Sequence, residues 1–66
     1  MTLDKARELL QVQVEFGGFY NRNSARLILA EVFRQHGQGA VDRLIQDLDL
    51  TAAFGFKPGE EFKPFA

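Results

Sequence analysis

The chain contains no cysteine and no tryptophan, and it has one histidine, one tyrosine and two prolines. Without cysteine no disulfide forms. A single histidine falls short of the roughly four Cys or His ligands of a structural zinc site. The two usual staples of very small domains are therefore excluded. An excess of one charge is also missing. Eight Lys and Arg stand against nine Asp and Glu, a formal charge of -1, so no global field draws in nucleic acid or an anionic membrane. Long apolar runs are absent as well. The longest is Leu27–Ala30, four residues, where a bilayer span needs about 20. Met1-Thr2-Leu3-Asp4-Lys5 lacks the basic-then-apolar form of a secretory signal. The expected compartment is the cytoplasm, which the lack of cysteine suits.

What is present fits one folded domain. The chain has 66 residues, 45% of them apolar and 26% charged, unlike a disordered segment. A chain this short buries only roughly 60% of the surface its unfolded form exposes, and its core alone supplies ~3–5 kcal/mol. With both staples gone, two remedies remain: efficient helix packing or self-association. A homodimer is expected on this ground.

Apolar periodicity predicts three helices. The first spans Thr2–Phe16, with Thr2 as N-cap, Asp4 in the first turn and Gly17-Gly18 as its stop. Its face is Leu3, Ala6, Leu10 and Val14, with Leu9 beside it. The second spans Asn23–His36, capped by Asn23 or Ser24, or earlier by Asn21, and ended by Gly37. Ala25, Ile28, Leu29, Val32 and Phe33 form its stripe, which Leu27 and Ala30 widen. The third spans Gly39–Ala53 on Val41, Leu44, Ile45, Leu48 and Ala52, with a bend near Leu50-Thr51 and Gly55 as a C′ residue. The expected fold is all-α. The second and third helices form an antiparallel hairpin, the first packs across it, and an extended aromatic tail follows. The expected core is Leu10, Val14, Ile28, Leu29, Val32, Phe33, Val41, Leu44, Ile45 and Leu48.

The division falls between a helical domain over 1–53 and a tail over 54–66. The tail carries Phe54, Phe56, Phe62 and Phe65, four of the seven phenylalanines. Pro58 and Pro64 bar ordinary helix there and push Lys57 and Lys63 toward extended backbone. Disordered tails are poor in aromatics, so this one docks. It admits three readings: closing its own core, completing a second subunit, or serving as an interaction motif that enters another protein's groove.

Two stretches carry candidate chemistry. The first is Gly17–Arg26, where a glycine pair precedes a helix start, and helix starts present free N–H groups. Arg22 and Arg26, four apart, repel on one helical face unless an anion lies between them. Tyr20, Arg22, Asn23 and Arg26 are thus candidate contacts for an anion, a phosphometabolite or nucleic acid. The plainer alternative is an interhelical turn whose arginines pair with Glu15 or with an Asp of the third helix. Charge favours such pairing. Residues 22–36 carry Arg22, Arg26 and Arg34 against Glu31, and residues 37–50 carry Arg43 against Asp42, Asp47 and Asp49. A nucleic-acid module would use the basic second helix, since the aspartates of the third oppose a phosphate-rich groove.

The second stretch surrounds His36, which Asp42 could orient across the turn. A general base also needs a substrate pocket, and a lone histidine at a helix end is more often a polar cap. No Ser/His/Asp or Cys/His set can be assembled. The chain is therefore expected to be no enzyme and to hold no cofactor and no metal.

The run Phe16-Gly17-Gly18-Phe19-Tyr20-Asn21-Arg22-Asn23, with Gln35-His36-Gly37-Gln38, Ala40-Val41-Asp42 and Leu44-Ile45, resembles a group of short bacterial proteins of unknown function. The resemblance spans most of the chain and implies a stand-alone helical protein. It assigns no catalytic or binding residue. The expected function is a small non-catalytic interaction or regulatory protein, acting as a homodimer.

Overall fold

The computed structural model describes residues 1–16 and 19–62, apart from the side chains of Phe19 and Tyr20. Four helices follow one another: α1 (Leu3–Phe16), α2 (Phe19–His36), α3 (Gln38–Asp47) and α4 (Leu50–Phe54). The expected all-α class is observed. α2 is the central element and packs against both α1 and α3.

α1 starts as its sequence requires. The Lys5 N–H donates to Thr2 Oγ1 at 3.1 Å, so Thr2 satisfies one of the unpaired donors of the first turn. Asp4 lies in that turn, where the helix dipole favours an anion.

α2 begins four residues before the expected Asn23. Asn21, Asn23 and Ser24 are therefore interior helical residues and not caps. The extra turn puts Arg22 three residues before Ala25 and seven before Leu29, on the face that enters the core. From there it reaches the end of α4 (below). That tertiary contact outweighs the local preference of Asn and Ser for capping positions. Gly37, with φ 88°, ends the helix as expected, and its N–H donates to the Phe33 carbonyl at 3.0 Å.

The expected third helix divides in two. α3 closes with Leu48 N–H on the Leu44 carbonyl at 3.1 Å, and Ala53 N–H on the Asp49 carbonyl at 3.2 Å belongs to α4. Asp49 between them is left-handed, with φ 52°, a conformation that Asp tolerates better than most residues. The break comes one to two residues earlier than the expected bend. It turns Leu50 and Phe54 of α4 into the core. Gly55, also left-handed at φ 80°, caps α4 by donating to the Thr51 carbonyl at 2.9 Å.

The core joins Ala6 and Leu10 of α1, Ala25, Leu29, Ala30 and Val32 of α2, Val41, Leu44 and Ile45 of α3, Leu50 and Phe54 of α4, and Phe56 and Phe62 beyond them. Six of the expected ten are fully enclosed, while Val14, Ile28, Phe33 and Leu48 are partly buried against the rest. Leu27, expected to widen the α2 stripe, is 53% exposed. It projects away from the Ala25–Leu29–Val32 face, and Ala30 alone extends it.

The described residues after α4, 55–62, lie on their own chain. Lys57-Pro58-Gly59-Glu60 forms a tight turn, closed by Glu60 N–H on the Lys57 carbonyl at 3.1 Å. Pro at the second position and Gly59 at φ 87° in the third suit a type II turn. Phe54 and Phe56 have ring centroids 5.9 Å apart. Phe56 and Phe62 meet edge to face at 5.2 Å, a favoured aromatic geometry. Burying Phe56 and Phe62 contributes about 1.5–3 kcal/mol each, as much together as the ~3–5 kcal/mol expected of a whole core this size. The missing staple is this aromatic cluster. Phe65, the last of the expected tail residues, lies outside the described residues.

Candidate functional site

The glycine-turn candidate resolves into unlike parts. Gly17 and Gly18 lie outside the described residues, as does the side chain of Tyr20. Arg22 is taken up internally. Its Nε–H donates to the Phe54 carbonyl at 3.0 Å, and its guanidinium sits 4.9 Å from the centroid of the Phe56 ring. The carbonyl belongs to the last turn of α4, where no helical N–H remains to satisfy it. A cation there also suits the negative end of the helix. Asn23 and Arg26 are exposed on α2. The structure therefore does not aim Arg22 and Arg26 jointly at one point.

The expected charge pairing between α2 and α3 is absent among the described residues. Arg34 pairs with Glu31 of its own helix, and this hydrogen-bonded contact holds the Glu31 carboxyl below its ordinary value. Asp47 of α3 is met by Arg7 of α1 at 3.0 Å and by Arg43 at 3.6 Å. The acidic helix thus answers α1, not the basic α2. Both α3 aspartates are engaged elsewhere, Asp47 by these two arginines and Asp42 by Gln38 and the Gly59 N–H.

Asp42 does not orient His36. The His36 Nε2 lies 2.9 Å from the Met1 carbonyl oxygen, a polar contact at a helix end. Asp42 instead accepts from Gly59 N–H at 2.7 Å and from Gln38 Nε2 at 2.8 Å. Gln38 Nε2 also donates to the Glu60 carbonyl at 2.9 Å. These bonds fasten the Pro58-Gly59 turn onto α3. The Gly59 N–H, then the Gln38 amide, hold the Asp42 carboxyl below the ordinary aspartate range.

Among the described residues no cavity opens and no three His, Asp or Glu side chains gather as metal ligands. No helix there is long and apolar enough to cross a membrane. Phe54, Phe56 and Phe62 are buried in the core of their own chain, which favours the first of the three tail readings.

One surface feature escaped the sequence reading. Phe16 is 79% exposed and Val12 40% exposed, and Leu9 is half-buried. With Lys5 they fall at 5, 9, 12 and 16. Spacings of four, three and four align them along one stripe of α1, the pattern of a helix–helix seam. The signal was present as that 4-3-4 spacing. The stronger stripe through Ala6, Leu10 and Val14 masked it, because both run along the same helix.

No family model, curated protein or solved structure matches this chain. Its function is read from its own residues.

Proposed function

We propose that this is a small non-catalytic interaction protein that acts as a homodimer in the cytoplasm. The observation that carries this reading is Phe16, 79% exposed on a helix whose adjoining face, through Ala6 and Leu10, is in the core. A large aromatic left outside the core, in line with Val12 and Leu9, is the kind of apolar surface that protein contacts cover. Phe56 and Phe62 are taken up by their own core, so these two rings do not supply the contact.

The nucleic-acid and anion alternatives draw on Arg22, Arg26 and Arg34. Two of these arginines already have internal partners, Phe54 with Phe56 and Glu31. The remaining charge is a weak basis for a phosphate contact. Sedimentation equilibrium tests the dimer. A monomer–dimer equilibrium at micromolar to high-micromolar concentration supports it, and a single ideal monomer throughout that range rejects it.

A further inference from the structure

We propose that the homodimer forms through the outer face of α1, two copies lying antiparallel across the stripe Lys5, Leu9, Val12 and Phe16. This inference rests on the dimer reading above and names its surface. Lys5, Leu9, Val12 and Phe16 share the helix side away from Ala6 and Leu10, which enter the core. Lys5 stands at one end of this stripe, and Glu15, exposed, flanks the other.

That polarity selects the partner and its direction. In an antiparallel pair centred between Leu9 and Val12, Leu9 of each copy meets Val12 of the other. Lys5 of each copy then lies at the level of Phe16 and Glu15 of the second copy. Its alkyl stem covers the ring and its ammonium faces the carboxylate. The contact is self-complementary, as a two-fold interface must be. A parallel pair instead sets Lys5 on Lys5 and Glu15 on Glu15, which like-charge repulsion disfavours. Lys5 is free to make the exchange. Its ion pair with Glu8 is long, at 3.8 Å, and both side chains are more than half exposed. In this register Glu15 of the second copy is level with Ala6, two residues or about 3 Å along the axis from Glu8, so the lysine is shared between two carboxylates.

The extent of the face sets the strength. α1 has 14 residues, about 21 Å at 1.5 Å per residue. One such helix against another falls below the roughly 800 Å² per partner of a standard interface. The dimer is therefore weak and exchanges freely, which suits a protein that trades its own copy for another partner.

Charge reversal tests the surface on the intact chain. All three substituted positions, Lys5, Glu15 and Phe16, are exposed and outside the core, and circular dichroism checks that each variant keeps its helicity. Lys5→Glu alone and Glu15→Lys alone should each weaken self-association by about 3- to 10-fold. The two single variants mixed together should associate with each other, and so should the double variant with itself. Phe16→Ser should weaken the dimer by about 10-fold or more. If the wild type dimerises but these variants leave its dissociation constant unchanged, the α1 surface is wrong while the dimer reading stands. If the single reversals have no effect and Phe16→Ser does, the antiparallel arrangement is wrong. If the wild type stays monomeric, both the surface and the dimer reading fall.

Discussion

Arg22 and Phe56 are joined across 34 positions of sequence, with the guanidinium 4.9 Å from the ring centroid. The same guanidinium bonds the carbonyl of Phe54 through Nε at 3.0 Å. One side chain thereby fixes the start of α2 to the end of α4 and to the aromatic segment beyond. A cation over an aromatic face contributes about 0.5–1 kcal/mol where partly solvated, and a hydrogen bond from a charged group about 1.5–3 kcal/mol. Arg22→Ala should therefore cost about 1–3 kcal/mol in a urea titration. Arg22→Lys should recover only part of that, because an ammonium cannot bond the carbonyl and lie flat on the ring at once.

Phe56→Ala and Phe62→Ala should each cost about 3–5 kcal/mol, most or all of the stability of a chain this size. Either variant should lose its cooperative thermal transition by circular dichroism at room temperature. A folded Phe56→Ala protein with unchanged melting would mean that the aromatic cluster is an ornament of the core and not its staple.

The sequence displayed the faces of α1, α2 and α3 because their apolar spacing repeats every three to four residues. Leu10, Leu29, Val32, Val41, Leu44 and Ile45 were all recognisable from it. The start of α2 was not. Asn21, Asn23 and Ser24 are good caps locally, yet the helix begins before them, and the bond from Arg22 to the distant Phe54 carbonyl is a contact that local preference does not encode. Asp49 marked a weakness in the third helix, but the left-handed break depends on Leu50 and Phe54 finding the core. The phenylalanines after α4 announced a docked segment by their density. Its target, the chain itself, follows from a three-dimensional fit that periodicity does not encode. For the same reason Arg22 looked like a ligand contact, although its partner is a carbonyl 32 residues away.

Two glycines should respond in opposite ways to alanine. Gly55 sits at φ 80° in open space, so an added Cβ meets no atom and only the backbone resists it. Gly55→Ala should cost about 1–2 kcal/mol. Gly39 is helical, its backbone suits any residue, and its Cβ direction is equally open. Gly39→Ala should gain about 0.5–1 kcal/mol. Urea midpoints of the two variants check both signs together.

Acid should release the turn over α3. The folded state lowers the Asp42 pKa through the Gly59 N–H and the Gln38 amide. A depressed carboxylate adds stability above its unfolded value and loses it as pH falls through the lower, folded value. An NMR titration that follows the Gly59 amide should therefore show a midpoint below the ordinary aspartate range. Asp42→Asn, which keeps an accepting oxygen, should abolish that step. A midpoint at or above the ordinary range would place the Asp42–Gly59 bond in doubt.

The proposed division of labour is that Phe56 and Phe62 close their own chain while the outer face of α1 meets a second copy. An isotope-filtered NOE experiment on an equal mixture of labelled and unlabelled chains separates the two directly. The predicted result is that contacts of Arg22 with Phe56, and of Phe56 with Phe62, arise within single chains. Contacts between chains should join Leu9 to Val12 and Lys5 to Phe16. Contacts between chains at Phe56 or Phe62 would contradict the account, since they would show the aromatic segment completing a second subunit.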